Sequence, residues 1–430
     1  MARFIGIRHR VKKTAQQEAR PTMVAIMESG RVVSILELED DEAELDFVEG
    51  RFPVKWRNAK EDEDLNKFLA RHVRRPKKGK EGPVKVPAAY DGLAPGDMVA
   101  MVLGGSGDRL AFALSRKGES LEKPTKILRI PAFILKERRG EASKDDDHKT
   151  LACLVSEEPE LFYGVGPRDR DFIRMRETHR ARRDTQKDRI RCEQRLRQHV
   201  IGRIFLSEDG HYPEGKIEDA YDREKANDVI LTNLLAEEAR REAGLKKFVR
   251  ALDVWSGVFV QIEGVGEVLA AGLMSPIGDI RRFEVSPDFT DANTPEERQR
   301  RVNKAAGRSK AKLKAFCGVH VLPDGRFARK RMREVANWNP AARQALYLLG
   351  QQFVYRPESE WGKRYREYKR IFREKHPEVV VVDGKKRYTD GHIHKMAIWR
   401  TLTKFVERLW KDWTRVETGL PIVRKEGAAA

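Results

Sequence analysis

Little in this chain could cross-link it or anchor it in a bilayer. Its 430 residues include only three cysteines, Cys153, Cys192 and Cys317, scattered and without a Cys-x-x-Cys pair. That excludes a disulfide framework and a thiolate zinc site, and it fits a reducing compartment. No apolar run approaches the roughly 20 residues of a membrane helix. The opening Met-Ala-Arg-Phe-Ile-Gly-Ile-Arg-His-Arg does not read as a signal peptide. A soluble cytoplasmic protein, with no membrane partner, is the expectation. No solenoid-type repeat is present. Negative charge is also short: Asp and Glu number 67 against 86 Lys and Arg, a formal charge of +19. Such a surplus favours polyanionic partners, DNA or RNA, and predicts steep salt dependence. The apolar share of 40% is enough to bury real cores, and the length suggests two or three domains.

What the chain does hold is a glycine turn between apolar segments. Residues 258–283 read Val-Phe-Val-Gln-Ile-Glu-Gly-Val-Gly-Glu-Val-Leu-Ala-Ala-Gly-Leu-Met-Ser-Pro-Ile-Gly-Asp-Ile-Arg-Arg-Phe. The pattern predicts a helix, a turn at Gly264, Val265 and Gly266, and a second helix with small residues at Ala270 and Ala271. This is the helix-hairpin-helix arrangement. Two glycines let the backbone bend and leave the N–H groups that open the second helix available to a phosphate. The plainer reading is a tight helical hairpin in a core; the basic surplus favours nucleic acid.

The fold class expected is α/β plus all-α. Residues 1–160 predict the α/β part. A strand at 4–7 precedes two β-branched runs at 22–28 and 32–38, joined by Ser29-Gly30 as a hairpin. A charged helix at 40–48 follows. Residues 73–89, rich in proline and lysine, read as a loop, solvated or lying against phosphate. A strand at 97–103, a helix at 108–116 and a strand at 127–134 complete the order of an RNase H-like sheet. Residues 161–255 change character. From Arg168 to Arg197 there are twelve Lys and Arg against six Asp and Glu. The sparse apolar stripe implies two long helices packed as a hairpin. The surplus nominates Arg174, Arg180, Arg182, Arg183 and Arg189 for nucleic-acid contact, against the alternative of a solvated face. Residues 256–420 predict short helices, with a polar surface excursion at 286–308, a Val-rich hairpin at 378–388 and an amphipathic helix at 392–413. His392 and His394 read as incidental rather than as metal ligands. Residues 421–430 read as a tail.

Four further segments are distinctive: Val102-Leu-Gly-Gly-Ser-Gly107, Lys144-Asp-Asp-Asp-His-Lys-Thr-Leu-Ala152, Leu313-Lys-Ala-Phe-Cys-Gly318 and Asn339-Pro-Ala-Ala-Arg-Gln-Ala-Leu346. With the glycine turn, and in this order, they resemble the IS-one-ten family of insertion-sequence transposases, the DEDD-type, bridge-RNA-guided enzymes related to the invertase Piv. The resemblance implies a RuvC-like N-terminal domain, a coiled-coil hairpin that would support a homo-oligomer, and a helix-hairpin-helix-containing transposase domain.

It also implies converging carboxylates around two Mg²⁺ ions and a nucleophilic serine, and here the chain departs from the pattern. Arg8 stands where the family's first aspartate ends Ile-Gly-Ile, Gly104 where it has a glutamate, and Asp324 where the serine precedes glycine. Asp147 aligns with a family acid, with Lys144 or Asp145 at its partner's place; the alternative is a solvated helix N-terminus. A guanidinium beside Mg²⁺ repels the ion and removes ligand oxygens. No metal or cofactor is therefore expected, and Arg8 could instead meet a phosphate directly. The expectation is a protein that binds DNA and a structured guide RNA and has lost strand cleavage. The alternative is an active DNA transposase or recombinase with a divergent Mg²⁺ site. A purely structural helical protein would leave the charge and the glycine turn unexplained.

Overall fold

Alternating apolar residues in short β-branched runs build a sheet with a helix-covered core on each face. In the computed structural model the strands and helices of the N-terminal part are β1 (Phe4–Arg8), β2 (Thr22–Glu28), β3 (Arg31–Leu38), α1 (Asp41–Val48), β4 (Phe52–Asn58), β5 (Lys85–Asp91), β6 (Met98–Leu103), α2 (Asp108–Glu119), β7 (Lys126–Pro131), α3 (Ala132–Arg139), α4 (Asp147–Glu157) and β8 (Tyr163–Gly164). The structure describes residues 3–11, 19–76, 82–104, 106–210, 212, 214–322, 325, 327–329, 336–382 and 384–419. The chain divides into two compact units, Met1–Ile173 and Arg174–Ala430.

The main sheet of the first unit has the order β3-β2-β1-β6-β7-β8. β2 is antiparallel to both β1 and β3, β6 and β7 run parallel to β1, and β8 is antiparallel to β7. Ser29 and Gly30 both take positive φ, 48° and 77°, the geometry a two-residue hairpin loop needs to match strand twist. On one face Ile5, Ile7, Val24, Val99 and Met101 pack with Leu110 and Leu114 of α2. On the other, Ala100 and Ile130 pack with Leu151, Leu154 and Val155 of α4. Burying each such aliphatic side chain contributes about 1.5–3 kcal/mol.

Gly6 sets the closest approach in this unit. A Cβ there would lie 1.9 Å from the carbonyl oxygen of His148 and 2.5 Å from the amide nitrogen of Ala152. Only glycine lets α4 lie directly on β1.

Two expectations for this unit need correction. The strand foreseen at 127–134 stops at Pro131, and Ala132 opens α3. The presumed loop at 73–89 contains the start of β5, which pairs with β4. Pro87 sits in β5 opposite Trp56; a two-stranded sheet has open edges where a missing N–H is tolerated. Residues 77–81 of that stretch lie outside the described residues.

Among its described residues the second unit is helical apart from one small hairpin and an isolated bridge between Val321 and Phe327. Its elements are α5 (Pro167–Phe205), which belongs to it from Arg174 onward, α6 (Ile217–Asn227), α7 (Val229–Arg250), α8 (Glu267–Ile277), α9 (Pro295–Phe316), α10 (Pro340–Tyr355), α11 (Glu360–Lys375), β9 (Val380–Val382), β10 (Lys385–Arg387) and α12 (Asp390–Glu417). α12 is the spine: Ile393, Ala397, Leu402, Phe405, Val406, Leu409 and Trp413 are all buried. Phe405 meets Phe353 of α10 and Trp361 of α11 at ring separations of 5.6 and 5.2 Å, where aromatic pairs add to burial. The polar excursion foreseen at 286–308 is helical from Pro295. Thr294 and Glu297 form a reciprocal capping box with Pro295 in the first turn, so the polar run starts a helix rather than a loop. Among the described residues no helix is long and apolar enough to cross a membrane.

Candidate nucleic-acid interface

The parallel pairing of β1 with β6 places Arg8, the last residue of β1, at the same sheet end as Gly104, which follows β6 with φ of 87°. The contact of Gly6 with α4 brings Asp147 and His148 to β1. Asp147 is buried, and both its oxygens accept from Arg139 Nη1, at 2.7 and 2.9 Å. Asp145 is exposed and ion-paired with Arg20. Arg8 Nε is buried without a hydrogen-bond partner. Burial pushes the His148 pKa down, against its bond to the Asp145 carbonyl, and the charges of Lys149 and Arg8 push the same way.

This arrangement does not fit Mg²⁺. The buried carboxylate is already neutralised by a guanidinium, the strand end supplies a second guanidinium, and Gly104 supplies no side-chain oxygen. Among the described residues no group of three or more His, Cys, Asp or Glu could hold a metal ion. Asp324 lies outside the described residues.

The hairpin arginines meet acids that a local count of α5 does not reveal. Arg182 Nη2 lies 3.0 Å from Glu238 and 2.9 Å from Glu242 of α7. Arg189 donates to the same Glu238 at 2.6 Å and to Glu193 at 3.0 Å. Arg180 pairs with Glu177 at 2.5 Å. Arg241 of α7 donates back to the Ala181 carbonyl at 2.8 Å. Arg182 and Arg189 thus bridge α5 and α7 within the hairpin. Arg174 is exposed on α5, and Arg183 is half-buried. Residues 167–250 as a whole carry 21 basic against 17 acidic side chains, whereas residues 251–430 carry 35 against 22. The last 180 residues therefore hold 13 of the 19 net positive charges.

The glycine turn lies in that basic stretch. A π-helical turn at Trp255–Phe259 precedes it, and α8 follows with Ala270 and Ala271 fully buried. Gly264 has φ of 84°, and a Cβ there would meet Arg356 Nη1 at 2.8 Å. Gly266 is different: its φ of −82° and ψ of 170° are extended backbone, and nothing lies within 4 Å of its would-be Cβ. Only the first glycine is demanded by the fold. Val265 is buried beneath the turn. The start of α8 already carries an anion. The Glu267 carboxylate accepts from Arg250 at 2.6 Å, and its pKa is lowered first by its bond to the backbone N–H and then by Arg250. A phosphate arriving at these N–H groups would compete with Glu267.

Two of the distinctive sequence segments meet in space. The Asn339 N–H donates to the Phe316 carbonyl at 2.8 Å. Gly318, with φ of 68°, lies so close to Trp338 and Arg343 that a Cβ would fall 2.8 Å from the indole and 3.1 Å from Arg343 Cδ. Arg343 is stacked between Trp338 and Trp399, 4.7 Å from each ring. Sequence reasoning passed over this arginine as a motif position; counting charge segment by segment would have pointed to its neighbourhood. The two histidines read as incidental both have ordinary partners: His392 Nδ1 accepts from the Tyr388 N–H at 3.0 Å, and His394 Nδ1 lies 2.5 Å from the Tyr365 hydroxyl. No protein-family model matches this chain, and no curated protein sequence matches it.

Proposed function

We propose that this chain is a nucleic-acid-binding protein of transposase descent that binds DNA and a structured guide RNA and has lost strand-cleavage chemistry. The observation that carries the reading is the concentration of positive charge in residues 251–430, 35 basic against 22 acidic side chains, around a glycine turn that opens a helix. The strand order of the first unit, three antiparallel strands followed by two parallel to the first, supports an RNase H- or RuvC-like ancestry. The loss of cleavage is argued from Arg139 on Asp147 and from Arg8 at the strand end. The alternative, an active recombinase, would require Asp147 to leave Arg139 and gather oxygen ligands elsewhere. Self-association through the hairpin is part of the proposal. Phe205, Leu206, Val229 and Ile230 are each more than half exposed where α5 ends and α7 begins, a cost that a second copy would relieve. Electrophoretic mobility shifts of the full chain with duplex DNA and with structured RNA, in the presence of Mg²⁺, test binding and cleavage together. Retarded, intact strands support the reading; nicked strands, or none retarded, contradict it.

A further inference from the structure

The Gly-Gly-Ser-Gly turn at residues 104–107 leaves β6 and enters α2. Gly104 bends the chain with φ of 87°. Gly107 packs against the residue that follows β1: a Cβ there would lie 3.4 Å from His9 Cβ. Ser106, between them, is exposed, and a serine presented on a sharp strand-to-helix turn is open to a substrate. Its hydroxyl oxygen lies 2.9 Å from His9 Nδ1. The other ring nitrogen, Nε2, lies 3.3 Å from Oε1 of Glu44, a buried residue of α1. Serine, histidine and glutamate thus stand in line, each brought by a different element.

The surrounding bonds fix where the protons sit. The Arg10 N–H donates to Thr22 Oγ1 at 2.8 Å, and the Thr22 hydroxyl donates its own proton to Glu44 Oε1 at 2.6 Å. Burial raises the Glu44 pKa, but the bonds from His9 and Thr22 and the charges of His9 and Arg10 outweigh it and hold the carboxyl below its ordinary value. An ionised Glu44 draws the imidazole proton to Nε2. Nδ1 is then the acceptor, and the Ser106 hydroxyl donates to it. The other acceptor within reach of that hydroxyl, the Arg10 carbonyl, is farther away at 3.4 Å. A hydroxyl held on a base, with the base oriented by a buried acid, is the geometry that activates a serine.

We infer that Ser106 is a nucleophile, His9 its general base and Glu44 the residue that positions His9, and that together they hydrolyse carboxylic esters. Ser106 Oγ attacks the ester carbonyl carbon while His9 Nδ1 takes the hydroxyl proton. The oxyanion forms at the N-terminal end of α2, where the helix dipole favours negative charge. The bond to the alcohol oxygen breaks, and the alcohol leaves with the proton from His9. Water then attacks the acyl-serine and gives a proton to His9; the acid departs and Ser106 recovers its proton. An ester suits the site better than a phosphodiester, because Arg10, the cation of the network, is held by Asp41 and Glu44.

The test uses the full chain with p-nitrophenyl acetate, then a fluorophosphonate label located by peptide mass spectrometry. The parent should release p-nitrophenol with a burst of about one equivalent and carry the label on Ser106. Ser106→Ala, an exposed change that leaves packing alone, should remove both. His9→Gln should slow both by about 100-fold or more. Glu44→Gln should lower kcat at least about tenfold with KM unchanged, and Glu44→Asp should restore part of it. A parent no faster than Ser106→Ala, or a label carried on another residue, overturns the site and leaves nucleic-acid binding untouched. DNA nicking that Ser106→Ala abolishes would overturn both the ester assignment and the loss of strand cleavage.

Discussion

Arg139 grips both oxygens of Asp147, the acid nominated from the sequence for a metal site, at 2.7 and 2.9 Å. The pair is largely shielded, with side-chain exposures of 13% and 6%. Removing one member leaves a buried charge uncompensated, so Asp147→Ala should destabilise the first unit by about 3–5 kcal/mol. Chemical denaturation followed by circular dichroism reads that change. Neither Mg²⁺ nor Mn²⁺ should produce nicks with the parent protein. Metal-dependent nicking that Asp147→Ala abolishes would mean the carboxylate serves a cation after all.

The two glycines of the turn should behave differently. Gly264→Val places a side chain at positive φ and against Arg356, so it should lower the melting temperature and weaken nucleic-acid binding. Gly266→Ala occupies open space at an ordinary φ and should change thermal stability by less than about 0.5 kcal/mol. Comparable damage from both would show that the turn is not built as described.

His179 is buried on α5, and its pKa is pushed down to about 4 by burial and by Arg183, Arg182 and Arg180. The unfolded chain therefore takes up this proton first as pH falls. The contribution of neutral His179 is complete above about pH 6.5 and drains away down to about pH 4, by up to roughly 3 kcal/mol. Depressed carboxylates such as Glu44 add their own losses only at more acid pH. Denaturation midpoints between pH 7 and 4.5 should fall for the parent and fall less for His179→Gln. Identical slopes would remove His179 from the account.

Hairpin-mediated self-association predicts that Val229→Lys with Ile230→Glu leaves folding intact, because both side chains are exposed, and shifts sedimentation towards the monomer. A parent protein that sediments as a monomer at every concentration would contradict it.

Much of the first unit was legible because its signals are local. Ser29-Gly30 between two β-branched runs gives the hairpin, and the apolar run at 98–103 gives a buried strand. β5 was hidden by Pro87, whose penalty disappears only when the sheet has a free edge. α9 was hidden by its polarity, although Thr294, Pro295 and Glu297 spell its start. The acid partners of the hairpin arginines were not legible locally: Glu238 and Glu242, which pair with Arg182 and Arg189, come roughly fifty residues later in the chain.

On the proposed function the chain binds nucleic acid electrostatically and does not cut it. The most direct measurement is the affinity of the full protein for duplex DNA and structured RNA across salt concentration, with Mg²⁺ present and the strands recovered afterwards. With about 6–10 phosphate contacts, affinity should fall by roughly 10³–10⁵ between about 50 and 200 mM salt, and every strand should be recovered whole. A flat salt response, or strands recovered cut, would contradict the account.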